Sequence, residues 1–379
     1  MKIYIHTAIS VLILVFITPF SEGFGQKVLI GYVGAYHGQP ISINEEHIKK
    51  LTHLNYAFAN VIEGKVVNDP SMSNDSLNFA YLNSLKKHNK DLKVLVSVGG
   101  WGWSGGFSDA ALDSATREIF ANSAIEFILL YNLDGIDIDW EYPGLSGNNN
   151  TFREEDGRNY TLVIKMIREK LDSIEAKSVE DRKYLITIAT GASEAYINKT
   201  ELGETQQYLD YINIMTYDYY GTWTTTTGHH ASLNSSKENP NGQSTIAAID
   251  RHAKAGIPRN KIVVGIAFYG HGWTGVIDQK RGMFQKYEGQ YNEQSLSYTN
   301  ISNNLKNQQG FKYYFDKSAK ASFLWNADKK IWISYEDIKD LKAKADYILE
   351  NDLAGAMFWQ YYSDSDGELL DVLYKKLIK

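Results

Sequence analysis

Eight short apolar runs, most separated by longer stretches of helical period, constrain this chain more than any other feature. The runs are residues 28–33, 54–59, 93–98, 135–140, 184–190, 212–215, 262–268 and 355–359. Helical patterns occupy 114–131, 161–174, 244–255 and 335–350. Several runs are almost continuously apolar, as strands buried on both faces of a parallel sheet are. Repeated strand–helix units give a closed (β/α)8 barrel or an open doubly wound sheet. Eight units favour the closed α/β fold, a (β/α)8 TIM barrel. The interval between Phe268 and Tyr335 is too long for a simple connection. It contains 311–315 (FKYYF) and 331–333 (IWI), which read as short antiparallel strands. The expectation is a small α+β insertion between strands seven and eight, at about 271–333, and a last amphipathic helix at 369–378.

Composition narrows the function. The 379 residues are 43% apolar and 22% charged, enough for a large core and unlike a disordered chain. A formal charge of −6 without a basic run makes nucleic acid and anionic membrane poor partners. There is no cysteine, which excludes disulfides, thiolate metal sites and Cys nucleophiles. Lys2, an apolar run at 9–17 and Gly23-Phe24-Gly25 form the pattern of a secretory signal peptide at 1–25. That run is too short for a membrane span. The chain from residue 26 to 379 is therefore expected to be secreted or periplasmic, free of the membrane, and a monomer.

One run carries the chemistry. Residues 134–144 read DGIDIDWEYPG. With a period of two, Ile136, Ile138 and Trp140 share one face of a strand, and Asp137, Asp139 and Glu141 share the other. Successive carboxylates then stand roughly 7 Å apart along the backbone. A half-exposed strand with a solvated acidic face is the plain alternative. Acids are depleted in strands, however, and three in register repel one another. Like charges held close cannot all ionise, so a proton is retained. A carboxyl that keeps its proton near neutrality is a general acid, which cleavage of a glycosidic bond requires. In a barrel the chemistry gathers at the C-terminal ends of strands. There the sequence places Ser97-Val98-Gly99-Gly100, the acidic triplet, Met215-Thr216-Tyr217-Asp218, Tyr269-Gly270 and Trp359.

These segments resemble the chitinases of glycoside hydrolase family 18. The acidic signature DxxDxDxE is complete in Asp134, Asp137, Asp139 and Glu141, with Trp140 and Tyr142-Pro143 beside it as in the chitinase branch. SxGG is Ser97-Val98-Gly99-Gly100, and the sixth-strand signature runs from Met215 through Tyr217, Asp218 and Gly221 to Trp223. Residues 54–58, 265–270 and 355–359 resemble the second, seventh and eighth strands, and the likeness spans about 28–370. The resemblance implies hydrolysis of β-1,4-linked N-acetylglucosamine with retention, the substrate's acetamido oxygen acting as nucleophile through an oxazolinium ion, with no cofactor and no metal. It implies that Glu141 protonates the leaving oxygen and then activates water. Asp139 would hold the acetamido N–H and share a proton with Asp137, while Tyr217 orients the acetamido oxygen. Asp218, Met215, Trp359, Trp101, Ser97, Tyr32 and Tyr269 are the further substrate-binding candidates. Trp101, Trp103 and Tyr32 either line the cleft or pack within the fold.

Two departures stand out. Tyr269-Gly270-His271 replaces the family's frequent Tyr-Gly-Arg, and Ala189-Thr190-Gly191 lacks its proline. The pair His229-His230 is not expected to hold a metal, since adjacent residues rarely point at one ion and no third ligand is near in sequence. Endo-β-N-acetylglucosaminidases acting on N-glycans use the same acids on a related barrel. Non-catalytic chitin-binding lectins of this fold usually lose the terminal Glu or an Asp, and here every acid is intact.

Overall fold

In this computed structural model, described over residues 26–35, 39–68, 74–179 and 182–379, eight parallel strands close into a barrel. The signal-peptide expectation at 1–25 lies outside the described residues. The strands are Val28–Gly34, His53–Ile62, Lys93–Gly99, Gly135–Asp139, Leu185–Gly191, Tyr211–Met215, Ile262–Ala267 and Gly355–Trp359. Each pairs with the next, and the eighth returns to the first with Ile30 opposite Met357. Closure leaves no open edge in the barrel wall. Among the described residues no helix is long and apolar enough to cross a membrane.

Side-chain alternation divides the core in two. Val28, Ile30 and Tyr32 join Ala57, Val263 and Met357 inside the barrel. Leu29 and Val33 join the outer layer between strands and helices. On the fourth strand Ile136, Ile138 and Trp140 take the outer side, with Trp140 stacked on Phe107 at 5.3 Å. Burial of each such side chain contributes about 1.5–3 kcal/mol. That sum fixes the strand's rotation and leaves Asp137 and Asp139 facing inward.

Polar first turns decide where two helices differ from their apolar pattern. Helix Asp156–Glu175 starts five residues before the pattern at 161. Its first turn is polar, and the Asp156 carboxylate accepts from Ser108 Oγ and from the backbone N–H groups of Gly144 and Arg153. Helix Ile338–Glu350 starts later than 335, because Tyr335 ends a strand and Asp337 and Asp340 form a capping box. The second strand outruns its pattern to Ile62 and turns at Glu63-Gly64, both with positive φ, into a short hairpin with Lys65–Val67.

Beyond the seventh strand a five-stranded antiparallel sheet forms in the order Gly289–Gln290, Gly270–Thr274, Ile331–Tyr335, Ala321–Asn326, Lys312–Asp316. Its core is Trp273, Val276, Phe323, Trp325 and Trp332. Its strand Gly270–Thr274 begins three residues past the barrel strand, which sets His271 beside the barrel mouth.

Candidate active site

Register builds the bottom of the site. Ser97 and Thr187 stand opposite Asp137 on the two neighbouring strands. Both hydroxyls donate to its carboxylate, at 2.7 and 2.5 Å. Tyr32 Oη donates at 2.8 Å and Asn213 Nδ2 at 3.2 Å. Four donors therefore saturate Asp137, and Asp139 is not among its partners. Asp137 bears on Asp139 through its charge, which helps Asp139 keep a proton. Ser97 is fully buried and meets Asp137 beneath the cavity, not the cavity itself, which corrects its placement as a substrate contact. Asp134 caps the lower end of the barrel, with Oδ2 accepting from Val94 N and paired to Lys86.

The next two acids lie above. No residue from 135 to 141 is exposed, so the solvated acidic face does not exist. Asp139 Oδ1 is buried and has no hydrogen-bond partner among the described residues. Burial, then the charges of Glu141 and Asp137, hold its carboxyl well above the usual range. Burial pushes Glu141 up to about 7, with Asp218 adding to the rise and the Tyr142 hydroxyl opposing it. The two titrate as a pair.

A glycine turn holds this strand end in place. Gly99, at φ +104°, lies where a Cβ would meet Asp139 O at 2.4 Å, and Gly100 N donates to that carbonyl at 2.8 Å. Ser104 Oγ then accepts from Glu141 N at 2.8 Å and donates to Gly100 O at 2.9 Å. Ser104 was not a sequence candidate. Its signal lies in Trp103-Ser104-Gly105-Gly106, directly after the two tryptophans.

These acids open onto a cavity of about 1260 Å³. That exceeds the ~300–1,000 Å³ of ordinary small-molecule pockets and leaves room for an oligomer. Tyr32, Trp101, Trp103, Tyr142, Met215, Tyr217, Asp218, Trp223, Tyr269 and Trp359 line it. Trp359 stacks on Phe58 at 5.5 Å, and Trp101 stands 55% exposed at the rim. Burial and the adjacent Asp218 hold the Tyr217 hydroxyl far above its usual pKa, so it remains a donor. Asp218 adopts a left-handed φ of +57° and accepts from Tyr269 Oη at 2.7 Å and pairs with His271 Nε2 at 2.8 Å. Burial acts to raise Asp218, but His230 and His271 outweigh it and hold the carboxyl well below its usual range. Non-proline cis peptide bonds occur at Ala57-Phe58, Glu141-Tyr142 and Trp359-Gln360.

Residues 28–364 match the family described as Glycosyl hydrolases family 18. The chain belongs to this family. It is 36% identical to chitinase A1 of Niallia circulans over 93% of its own length, and spans 59% of that relative. A family 18 N-acetylglucosaminidase from Paenibacillus barengoltzii superposes with a TM-score of 0.85 at 38% identity, covering 93% of this chain and all of that one. Chitinase ChiA74 from Bacillus thuringiensis gives 0.86 at 32% identity, over 93% of this chain and 70% of that one.

Within this family 18 barrel the two adjacent histidines do not share one site. His229 and His230 diverge: His229 Nε2 meets Asp316 Oδ2 at 3.3 Å, while His230, fully buried, turns toward Asp218. There Asp218 and His271 supply neighbours that sequence distance concealed. Burial keeps His230 neutral, its pKa pushed down to about 4.

Proposed function

We propose that this family 18 glycoside hydrolase is a secreted chitinase, cleaving β-1,4 bonds between N-acetylglucosamine units with retention. The observation that carries this reading is Asp139 Oδ1. A buried acceptor without a donor is costly, and it sits beside a carboxyl protonated near neutrality, inside an aromatic cleft. An acetamido N–H is the partner it lacks. Glu141 donates its proton to the leaving glycosidic oxygen as the C–O bond breaks. The acetamido oxygen, oriented by Tyr217, attacks the anomeric carbon and gives an oxazolinium ion. Asp139 stabilises the positive charge. Water then attacks that carbon as its bond to the acetamido oxygen breaks, restoring the acetamide, and the water's proton passes to Glu141. Holding the nucleophile within the substrate supplies much of the rate through positioning. Trp359 forms the floor beneath the sugar, and Met215, Asp218 and Tyr269 its walls.

The test is a time-resolved product profile on N-acetylglucosamine tetramers to hexamers, with cello-oligosaccharides and a high-mannose glycoprotein as controls. Chito-oligomers should be cleaved and cello-oligomers left intact. Cleavage of cello-oligomers would refute the acetamido nucleophile, and cleavage of the glycoprotein alone would move the substrate to N-glycans. Release of single N-acetylglucosamine units is a second reading, favoured by the likeness to the Paenibacillus barengoltzii N-acetylglucosaminidase. The same profile separates it from internal cleavage.

A further inference from the structure

His271 brings a second imidazole to a carboxylate that already faces a buried one. Asp218 Oδ1 lies 2.8 Å from His271 Nε2 and 3.6 Å from His230 Nδ1, and the three atoms fall within 4.8 Å of one another. We infer that these three atoms form a binding site for one divalent transition-metal ion of the zinc class, on the wall of the cleft. At metal–ligand bonds of roughly 2.0–2.2 Å, tetrahedral donors stand roughly 3.3 Å apart. The two carboxylate–imidazole separations bracket that value and the imidazoles lie within 4.8 Å of each other, so rotations of Asp218 and the partly exposed His271 bring the three donors to it.

A second observation points to a ligand. His230 is 0% exposed, yet neither ring nitrogen has a hydrogen-bond partner among the described residues. At 3.6 Å its Nδ1 makes only a long polar contact with the Asp218 carboxylate, and buried polar groups are rarely left so poorly paired. A metal ion between them gives Nδ1 its partner. Tyr269 Oη, donating to Asp218 Oδ1 at 2.7 Å, is the outer hydrogen bond that orients a ligating carboxylate. Two imidazoles and one carboxylate select zinc-like ions over magnesium or calcium. Three protein ligands leave a position open to the cleft. Because Asp218 is also the proposed sugar contact, metal and oligosaccharide should exclude each other; this clause alone rests on the proposed function.

The experiment titrates the untagged chain with ZnCl2 by calorimetry, without sugar. One Zn2+ per chain is expected, with binding at least ~10-fold weaker in His271→Gln, which keeps a donor to Asp218 but loses the imidazole. Co2+ should give a visible absorption band in the parent that His271→Gln and Asp218→Asn both lack. The site is refuted if no 1:1 binding occurs, or if both variants bind as the parent does. Adding chitotetraose should weaken Zn2+ binding. Intact Zn2+ binding without that competition would leave the metal site standing and count against Asp218 as a sugar contact.

Discussion

A carboxyl that donates a proton near neutrality must be denied water, and Glu141 is buried beside two other acids. With its pKa at about 7, the acid form falls away as pH rises through that value. Turnover should therefore decline above about pH 7 on the alkaline limb of kcat/KM against pH. Glu141→Gln should abolish turnover while leaving oligosaccharide binding measurable by calorimetry; near-normal kcat would end the general-acid assignment. Stability gives an independent readout. A folded-state pKa raised above the unfolded value means the unfolded chain loses its proton first, so ionisation weakens the fold as pH rises from about 4.5 to 7. Glu141→Gln should then be more stable than the parent at pH 8, by on the order of 3 kcal/mol, and equally stable at pH 4. No difference at pH 8 would mean that the group is not held protonated by burial. Alternation alone made this triplet legible, because apolar and acidic residues on one strand sort to opposite faces. Ser104's role was not legible, since the glycine-rich loop marks a turn but not that its hydroxyl accepts from the backbone of a residue 37 positions away.

At the scale of elements, the turn after the third strand decides how accurately the fourth strand ends. Gly99→Ala would force a Cβ against Asp139 O at 2.4 Å and strain a φ of +104°. The expected cost is roughly 2–4 kcal/mol in urea unfolding, with kcat reduced because Asp139 moves. Unchanged stability would show that the turn is not the clamp. Ser104→Ala is the gentler probe. It removes the acceptor of Glu141 N and should cost about 1–3 kcal/mol, lowering kcat more than it raises KM. The eight strands were legible because parallel strands buried on both faces leave continuous apolar runs. Helix starts were less so: the first turn of Asp156–Glu175 is polar and held by Asp156, which hydrophobic period cannot register. Strand Ala321–Asn326 escaped for a related reason. Its apolar centre is only Phe323-Leu324-Trp325, too short to separate from its neighbours without the pairing that defines it.

For the whole molecule, one buried carboxylate joins the antiparallel sheet to the barrel. Glu336 follows strand Ile331–Tyr335, accepts from Ala267 N at the end of the seventh barrel strand at 2.6 Å, and pairs with Lys344 of helix Ile338–Glu350 at 2.6 Å. Both side chains are 1% exposed. Desolvation of two charges offsets most of their attraction, so the pair itself adds little net stability. Removing one partner is different, because the other charge stays buried alone. Lys344→Met should therefore destabilise by about 3–5 kcal/mol. The double variant Glu336→Gln/Lys344→Met should recover most of that, since Gln still accepts from Ala267 N. Because the tie reaches both units, the single variant should lower one cooperative melting transition rather than split it. Separate transitions for sheet and barrel would show that the two fold independently. A Lys344→Met protein melting like its parent would show that Glu336 carries a proton, and that hydrogen bonding rather than charge holds the sheet against the barrel.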